Sequence, residues 1–216
     1  LSQLLGISRG VEYLHSRNPP VIHGDLHPGN VLLDWDDRAY LCDFGLSRIR
    51  HEVTRTRSMV NSQEGGYYRY MAPELTQELE ERFRTSQESD VFSLAMTFLH
   101  AWSGEKPFGG KWNEWQVAEL FQKRERPPRP PFEVDLADPE EAALWNLIVE
   151  MWAHEPRRRP SAATVVKRLT LIFPAETPAN GRLGCVKDGA AVNGGVGEGS
   201  VIVEHPHRAA TILQAL

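Results

Sequence analysis

The chain has 216 residues, of which 41% are hydrophobic and 25% are charged, values typical of a globular protein. Its formal charge of −5 argues against nucleic acid or an anionic membrane as the main partner. Two widely separated cysteines, Cys42 and Cys185, cannot build a disulfide framework and favour a reducing, cytoplasmic location. The longest nearly apolar run, residues 91–102, is shorter than the roughly 20 residues that a membrane span needs.

Apolar periodicity predicts the elements in chain order. A helical apolar face covers residues 1–16, and the sequence NPP at residues 18–20 ends it. Two apolar runs, residues 31–33 and 39–42, flank a turn-prone acidic segment and predict a β-hairpin. Residues 46–70 lack periodicity and predict a long loop. Later helices are predicted at residues 88–103, 113–123, 139–153 and 161–172.

Composition changes near residue 174. Every aromatic residue of the sequence lies at or before Phe173, whereas residues 175–216 are rich in glycine, alanine and valine. Such a segment buries little apolar surface to offset the entropy of ordering. We therefore predict a structured domain over residues 1–174 and a disordered tail over residues 175–216.

The segment HGDLHPGN, residues 23–30, runs from a loop into the first strand of the predicted hairpin. It places Asp25 five positions before Asn30, and the sequence DFG, which begins at Asp43 and ends at Gly45, follows the second strand. One carboxylate can orient a substrate hydroxyl, while an amide and a second carboxylate can hold Mg²⁺ on phosphates. These side chains predict a phosphoryl-transfer site at one end of the hairpin.

Taken in order, these motifs resemble the eukaryotic-type protein kinase superfamily. HGDLHPGN resembles its catalytic loop, DFG its magnesium loop, and YMAPE at residues 70–74 the end of its activation segment. Residues 90–95, 104–108 and 157–161 resemble the start of the central helix of the C-terminal lobe, the loop after it and the motif before the last helix. The resemblance implies a mainly α (α+β) kinase C-terminal lobe with short β-hairpins at the catalytic loop, and ATP and Mg²⁺ as cofactors.

The resemblance also implies a role for each matched residue near the phosphates. Asp25 would accept or orient the proton of the substrate hydroxyl. His27 stands where Ser/Thr kinases usually carry a lysine that contacts the γ-phosphate. Asn30 and Asp43 would bind Mg²⁺, and Leu32 would form the floor beneath adenine.

Six further matched residues, Gly45 among them, would be structural. Glu74 and Arg159 would form a buried ion pair that ties the activation segment to the lobe. Asp90 would hold the backbone of the catalytic loop. His23 and Phe44 would stack in the hydrophobic spine, with the glycine of DFG directly after Phe44.

Three residues depart from the family's pattern. Gly24 stands where the family usually has the arginine that contacts a phosphorylated activation loop, so the sequence disfavours control by loop phosphorylation. His27 would be a weaker partner for the γ-phosphate than lysine. Tyr67 stands where Ser/Thr kinases usually have a threonine, which leaves the acceptor open between Ser/Thr and Tyr.

The sequence also contains no glycine-rich phosphate loop, no VAIK-like strand and no glutamate-bearing partner helix. In the family these features form an N-terminal lobe that holds most of the nucleotide. We therefore expect this chain alone to bind ATP weakly and to turn over slowly, if at all. An in-frame N-terminal lobe upstream of Leu1 would favour an active enzyme.

Three functions stay open at this point, of which a protein kinase acting on protein substrates is favoured. Small-molecule kinases of the aminoglycoside-phosphotransferase type share HGDLHPGN, but they usually lack the DFG and MAPE sequences present here. A non-catalytic, pseudokinase-like interaction module would keep the packing residues, although intact Asp25, Asn30 and Asp43 argue against it. We expect a monomer in each case.

Overall fold

The computed structural model describes residues 2–43, 48–49, 68–76, 85–130 and 138–174, with residues 48–49 described by their backbone. In these ranges the helices and strands, in chain order, are α1 (Ser2–His15), β1 (Val21–Ile22), β2 (Val31–Leu33), β3 (Ala39–Leu41), β4 (Arg48–Ile49), α2 (Gln87–Ser103), α3 (Glu114–Gln122), α4 (Pro139–Met151) and α5 (Ala162–Ile172). The predicted tail, Phe44, Gly45 and Tyr67 lie outside the described residues, so what was predicted for them stays a prediction.

The later helices begin where polar side chains cap their first turns. At α2, Ser86 accepts from the Ser89 N–H while the Ser89 side chain binds back to the Ser86 N–H. Asn113, Asp138 and Ser161 accept from first-turn N–H groups of α3, α4 and α5. Because caps and apolar periodicity agree, the predicted helices are confirmed, and their observed ends lie within about two residues of the predicted ends.

Helix α2 forms the centre of the lobe, and every residue from 89 to 99 is buried. Its buried hydroxyl groups are satisfied inside the helix, as when Ser93 donates to the Ser89 carbonyl at 3.1 Å. Phe92 meets Phe121 of α3 edge-on, with ring centroids 5.2 Å apart. Helix α4 packs against α2, and α1 packs against α5, so the lobe is a helical layer around one apolar core.

Two small antiparallel sheets, each of two strands, accompany these helices. Strand β2 pairs with β3, with Val31 opposite Leu41, which confirms the predicted hairpin. Strand β1 pairs with β4, with Ile22 opposite Arg48. The prediction of a loop over residues 46–70 is therefore wrong at Arg48–Ile49. A strand of two residues is too short to show an alternating apolar pattern in the sequence, and its position depends on the distant strand with which it pairs.

The predicted fold class is confirmed, because the described chain is mainly helical with two short antiparallel sheets. Residues 23–30 connect β1 to β2, so the two sheets fix both ends of the predicted catalytic loop. Among the described helices, none is long and apolar enough to cross a lipid bilayer.

Candidate active site

The loop of residues 23–30 is anchored to α2 by Asp90, a buried carboxylate in the first turn of that helix. Its Oδ2 accepts from the backbone N–H of His23 at 2.8 Å, and its Oδ1 accepts from that of Gly24 at 2.9 Å. The Nε2 of His15, at the end of α1, lies 2.9 Å from Oδ2. Since buried N–H groups need acceptors, Asp90 couples the loop to both helices.

Gly24 adopts φ = +79°, in the left-handed region. A residue with a Cβ atom costs about 1–2 kcal/mol in that conformation. The local backbone therefore accounts for glycine at a position where the family usually has arginine.

Asp25 is fixed through its backbone and open at its side chain. Its N–H donates to Nδ1 of His23 at 3.3 Å, and its carbonyl accepts from Nδ2 of Asn30 at 2.8 Å. The side chain is 34% exposed. A substrate hydroxyl can therefore reach a carboxylate whose position is already set.

His23 is buried and joins this loop to the end of β3. Its Nδ1 accepts from the Asp25 N–H, so the hydrogen-bond pattern assigns the ring proton to Nε2. The Nε2–H then donates to the Cys42 carbonyl at 3.2 Å. The ring thus bridges Asp25 and the residue that precedes Asp43.

Asn30 and Asp43, the two predicted magnesium ligands, are brought to the same end of the hairpin. The N–H of Cys42 donates to the Asn30 carbonyl at 3.0 Å, and Asp43 follows directly. Asp43 is exposed and adopts φ = +57°, a conformation that few non-glycine residues occupy and that clusters at functional sites. The Asn30 amide nitrogen donates to Asp25, which leaves the amide oxygen as its ligand atom.

The Asn30 amide oxygen and the Asp43 carboxylate fit a hard cation that takes its remaining ligands from water and substrate. Among the described residues, no group of three His, Cys, Asp or Glu side chains is placed to hold a metal ion. Mg²⁺ commonly takes one or two protein carboxylates and fills its octahedron with water and phosphate oxygens. One amide oxygen and one carboxylate suit a magnesium ion that binds together with a nucleotide.

The other two predicted residues near the phosphates are His27, within the loop, and Leu32, on the strand after it. His27 is buried, with Nε2 3.7 Å from Oδ2 of Asp25. Leu32 lies on β2 opposite Tyr40, and its side chain is 39% exposed, which leaves an apolar surface open beside the loop. The structure therefore places the His27 ring near the Asp25 carboxylate and Leu32 on the strand that follows the loop.

Glu74 and Arg159 form a bidentate ion pair. The Arg159 Nη1 and Nη2 atoms lie 2.7 and 2.8 Å from the two carboxylate oxygens of Glu74. The guanidinium also donates to the carbonyls of Ala153 at 2.8 Å and Glu88 at 2.9 Å. It lies over the Phe92 ring, with Cζ 5.1 Å from the centroid. The pair joins residues 73–75 to the segment before α5.

Arg69 is a buried residue that no motif or periodicity singles out. Its Nε pairs with Glu114 Oε1 at 2.6 Å, and its Nη1 donates to the carbonyls of Pro107 at 2.7 Å and Gly109 at 2.9 Å. The Nη2 of Arg69 donates to a third carbonyl, that of Trp112. Arg69 thus locks the Tyr68–Tyr70 turn to the start of α3.

Arg126 is the second residue that sequence reasoning missed, because it begins the run RPPRPP at residues 126–131, which predicts only an extended linker between two helices. Its guanidinium lies 5.5 Å from the ring centroids of Phe92 and Phe121 and donates to the Trp152 carbonyl at 3.1 Å. Burial, and then the nearby Arg159, lower the pKa of Arg126 to about 10. Two guanidinium groups therefore share the surroundings of one carboxylate, Glu74.

Acid conditions are expected to destabilise this lobe through His100. The Tyr70 hydroxyl and His100 Nδ1 lie 2.7 Å apart, and burial, then Lys106, lower the pKa of His100 below its usual 6.5. The unfolded chain therefore binds this proton more readily, and stability falls as the pH drops through 6.5. Urea unfolding from pH 7.5 to 5.5 measures the effect. A His100→Gln protein that keeps the native pH dependence would contradict this prediction.

Comparison with known proteins assigns the chain to a family. Residues 2–169 match the family model described as protein kinase domain. The chain is 35% identical over 156 residues to receptor-interacting serine/threonine-protein kinase 2 of Bos taurus, covering 72% of this chain and 29% of that protein. It is also 35% identical over 175 residues to serine/threonine-protein kinase VIK of Arabidopsis thaliana, covering 78% and 36%.

A third relative, serine/threonine/tyrosine-protein kinase HT1 of Arabidopsis thaliana, is 33% identical over 162 residues, covering 75% of this chain and 37% of that protein. The chain thus spans roughly a third of the length of these relatives. The family match covers both the loop of residues 23–30 and the Glu74–Arg159 pair, and it ends within α5. The chain belongs to the protein kinase family.

Proposed function

We propose that this chain supplies the catalytic centre of a protein kinase, which transfers the γ-phosphoryl group of ATP to a hydroxyl of a protein substrate. One observation carries the proposal: the backbone of Asp25 is held by His23 and Asn30 while its carboxylate stays accessible. Phosphoryl transfer depends mainly on positioning and on electrostatic stabilisation. A fixed carboxylate beside two oxygen ligands for Mg²⁺ supports that chemistry.

In the proposed mechanism, Asp25 accepts the proton of the substrate hydroxyl and directs its oxygen at the γ-phosphorus. The new bond to phosphorus forms as the bond to the β–γ bridging oxygen breaks, and ADP leaves with that electron pair. Asn30 and Asp43 would hold Mg²⁺, which when bound would supply positive charge to the phosphates. Leu32 offers apolar surface to the adenine base.

The proposed acceptor is a serine or threonine hydroxyl. Support comes from relatives whose names describe them as serine/threonine-protein kinases. Because the name of HT1 adds tyrosine, tyrosine is the second acceptor to test. We further propose a monomeric, intracellular protein, since two widely spaced cysteines suit a reducing compartment.

Phosphoryl transfer is tested with the full gene product, γ-labelled ATP, Mg²⁺ and a mixed library of peptides containing serine, threonine and tyrosine. Label on serine or threonine supports the proposal, whereas label on tyrosine alone corrects the acceptor. Label on an aminoglycoside but not on peptides would replace the proposal with a small-molecule kinase. No transfer to any acceptor would favour a non-catalytic interaction module.

Replacing Asp43 by asparagine is expected to raise the Mg²⁺ concentration for half-maximal transfer by about tenfold or more, because a charged oxygen ligand is lost. Asparagine tolerates the left-handed backbone, so the substitution tests the charge rather than the fold. Asp37, in the hairpin turn, is exposed and also has φ = +57°, which makes Asp37→Asn the matched control. An Asp43→Asn protein with native Mg²⁺ dependence would exclude Asp43 as a ligand.

A further inference from the structure

The ring of His27 lies directly against Gly29. The Gly29 N–H donates to Nδ1 of His27 at 3.0 Å. A Cβ atom built on Gly29 would lie 2.8 Å from Cε1 and 3.0 Å from Nδ1 of that ring. Real Cβ atoms essentially never lie within 3.0 Å of another heavy atom, so a side chain at position 29 would displace the ring.

The backbone itself does not require glycine at position 29. The glycines of the described chain with positive φ are Gly24, Gly104 and Gly109, so Gly29 lies outside the left-handed region. An alanine there would pay no left-handed penalty and would even restrict the unfolded chain. The close contact with the His27 ring therefore accounts for glycine at position 29.

The position of the His27 ring determines which nitrogen carries its proton. Nδ1 accepts from the Gly29 N–H, so the neutral ring has its proton on Nε2. Nε2 is the atom 3.7 Å from Oδ2 of Asp25. His27 therefore presents an N–H, rather than a lone pair, to the carboxylate.

The surroundings of His27 leave the ring little freedom. It is buried, and its centroid lies 6.1 Å from that of Tyr70 with the planes tilted by 42°. His27 also forms the N-cap of the short Pro28–Asn30 turn, through the same bond to Gly29. A ring displaced from Gly29 would release the turn that carries Asn30.

We infer that Gly29 is a positioning residue that seats the His27 ring and fixes its tautomer with the proton on Nε2, facing Asp25. The benefit of this arrangement for phosphoryl transfer rests on the proposed function. The tautomer itself does not, because it follows from the bond and the close approach at Gly29.

The tautomer is read from the imidazole nitrogen signals of the ¹⁵N-histidine-labelled chain at pH 8, with His27→Gln assigning the His27 signals. We expect a protonated Nε2 and a bare, hydrogen-bonded Nδ1 in the native protein. In Gly29→Ala the second tautomer should appear. Gly110→Ala, at a glycine with no atom within 4 Å of the added carbon, should leave the native pattern. A native proton on Nδ1, or an unchanged Gly29→Ala pattern, would overturn the inference.

A double-mutant comparison covers the case in which Gly29→Ala folds poorly. The urea midpoint should fall in Gly29→Ala, whereas the same change in a His27→Ala background should leave the midpoint unchanged or raise it, because the ring is gone. Equal losses in both backgrounds would overturn the inference. Neither readout requires enzymatic activity, so a protein with the expected tautomer and no phosphoryl transfer would contradict the proposed function alone.

Discussion

Replacing Asp25 by asparagine is expected to lower phosphoryl transfer by roughly 10²–10⁴-fold, because the amide cannot accept the substrate proton in the transition state. The loss should appear in the rate of transfer from labelled ATP at saturating Mg²⁺. Asp36→Asn is the control, since the Asp36 carboxylate is exposed and its ion-pair contact, to Arg38 at 3.7 Å, is exposed as well. Asp25→Asn with native activity would refute the role proposed for Asp25.

The same substitution should leave the fold intact, which separates a chemical effect from a structural one. The two contacts that hold Asp25 use its backbone N–H, bound to His23, and its backbone carbonyl, bound to Asn30. Neither contact involves the carboxylate. Thermal unfolding of Asp25→Asn should therefore match that of the native protein within about 0.5 kcal/mol.

The helices could be predicted because their determinants are local. Ser86 and Ser161 precede the apolar-periodic stretches of α2 and α5, and both cap those helices in the structure. The hairpin at β2 and β3 has two short apolar runs and a turn-prone acidic connection. Strand β4 could not be predicted, since its pairing with β1 crosses a long stretch of chain and its own sequence has no period.

The site could be predicted only as far as motif resemblance reached. Glu74 and Arg159 are 85 positions apart and were paired through the family motifs that contain them. Arg69 meets Glu114 across 45 positions, and nothing in the local sequence connects the two. Burial of arginine is unusual and depends on acceptors supplied by distant carbonyls, so composition and periodicity do not reveal it.

The structure also explains the spacing within HGDLHPGN, which motif matching leaves unexplained. His23 accepts from the N–H of Asp25, and His27 accepts from the N–H of Gly29, each through Nδ1 and each two residues on. The two rings thus act as acceptors for backbone N–H groups on either side of Leu26. A lysine at position 27 has no acceptor and could not bind the Gly29 N–H in this way.

Breaking the ion pair between the buried Arg159 and Glu74, whose side chain is 27% exposed, is expected to have the largest effect on stability. Replacing Glu74 by glutamine should lower the free energy of unfolding by about 3–5 kcal/mol. The Arg159 side chain is 0% exposed, so its charge would be left without a counter-ion among carbonyl groups. Arg126, whose pKa is already lowered by burial and by Arg159, would lose the one carboxylate that offsets this repulsion.

Denaturant unfolding at pH 7 measures the loss, and the exposed pair Glu155–Arg158 supplies the control. Its atoms lie 2.8 Å apart, but its side chains are 56% and 74% exposed, so Glu155→Gln should change stability by less than about 1 kcal/mol. Replacing both partners, with Glu74→Leu and Arg159→Met, should recover part of the loss because no buried charge is left unpaired. If Glu74→Gln and Glu155→Gln cost the same, the buried pair does not anchor the activation segment to the lobe.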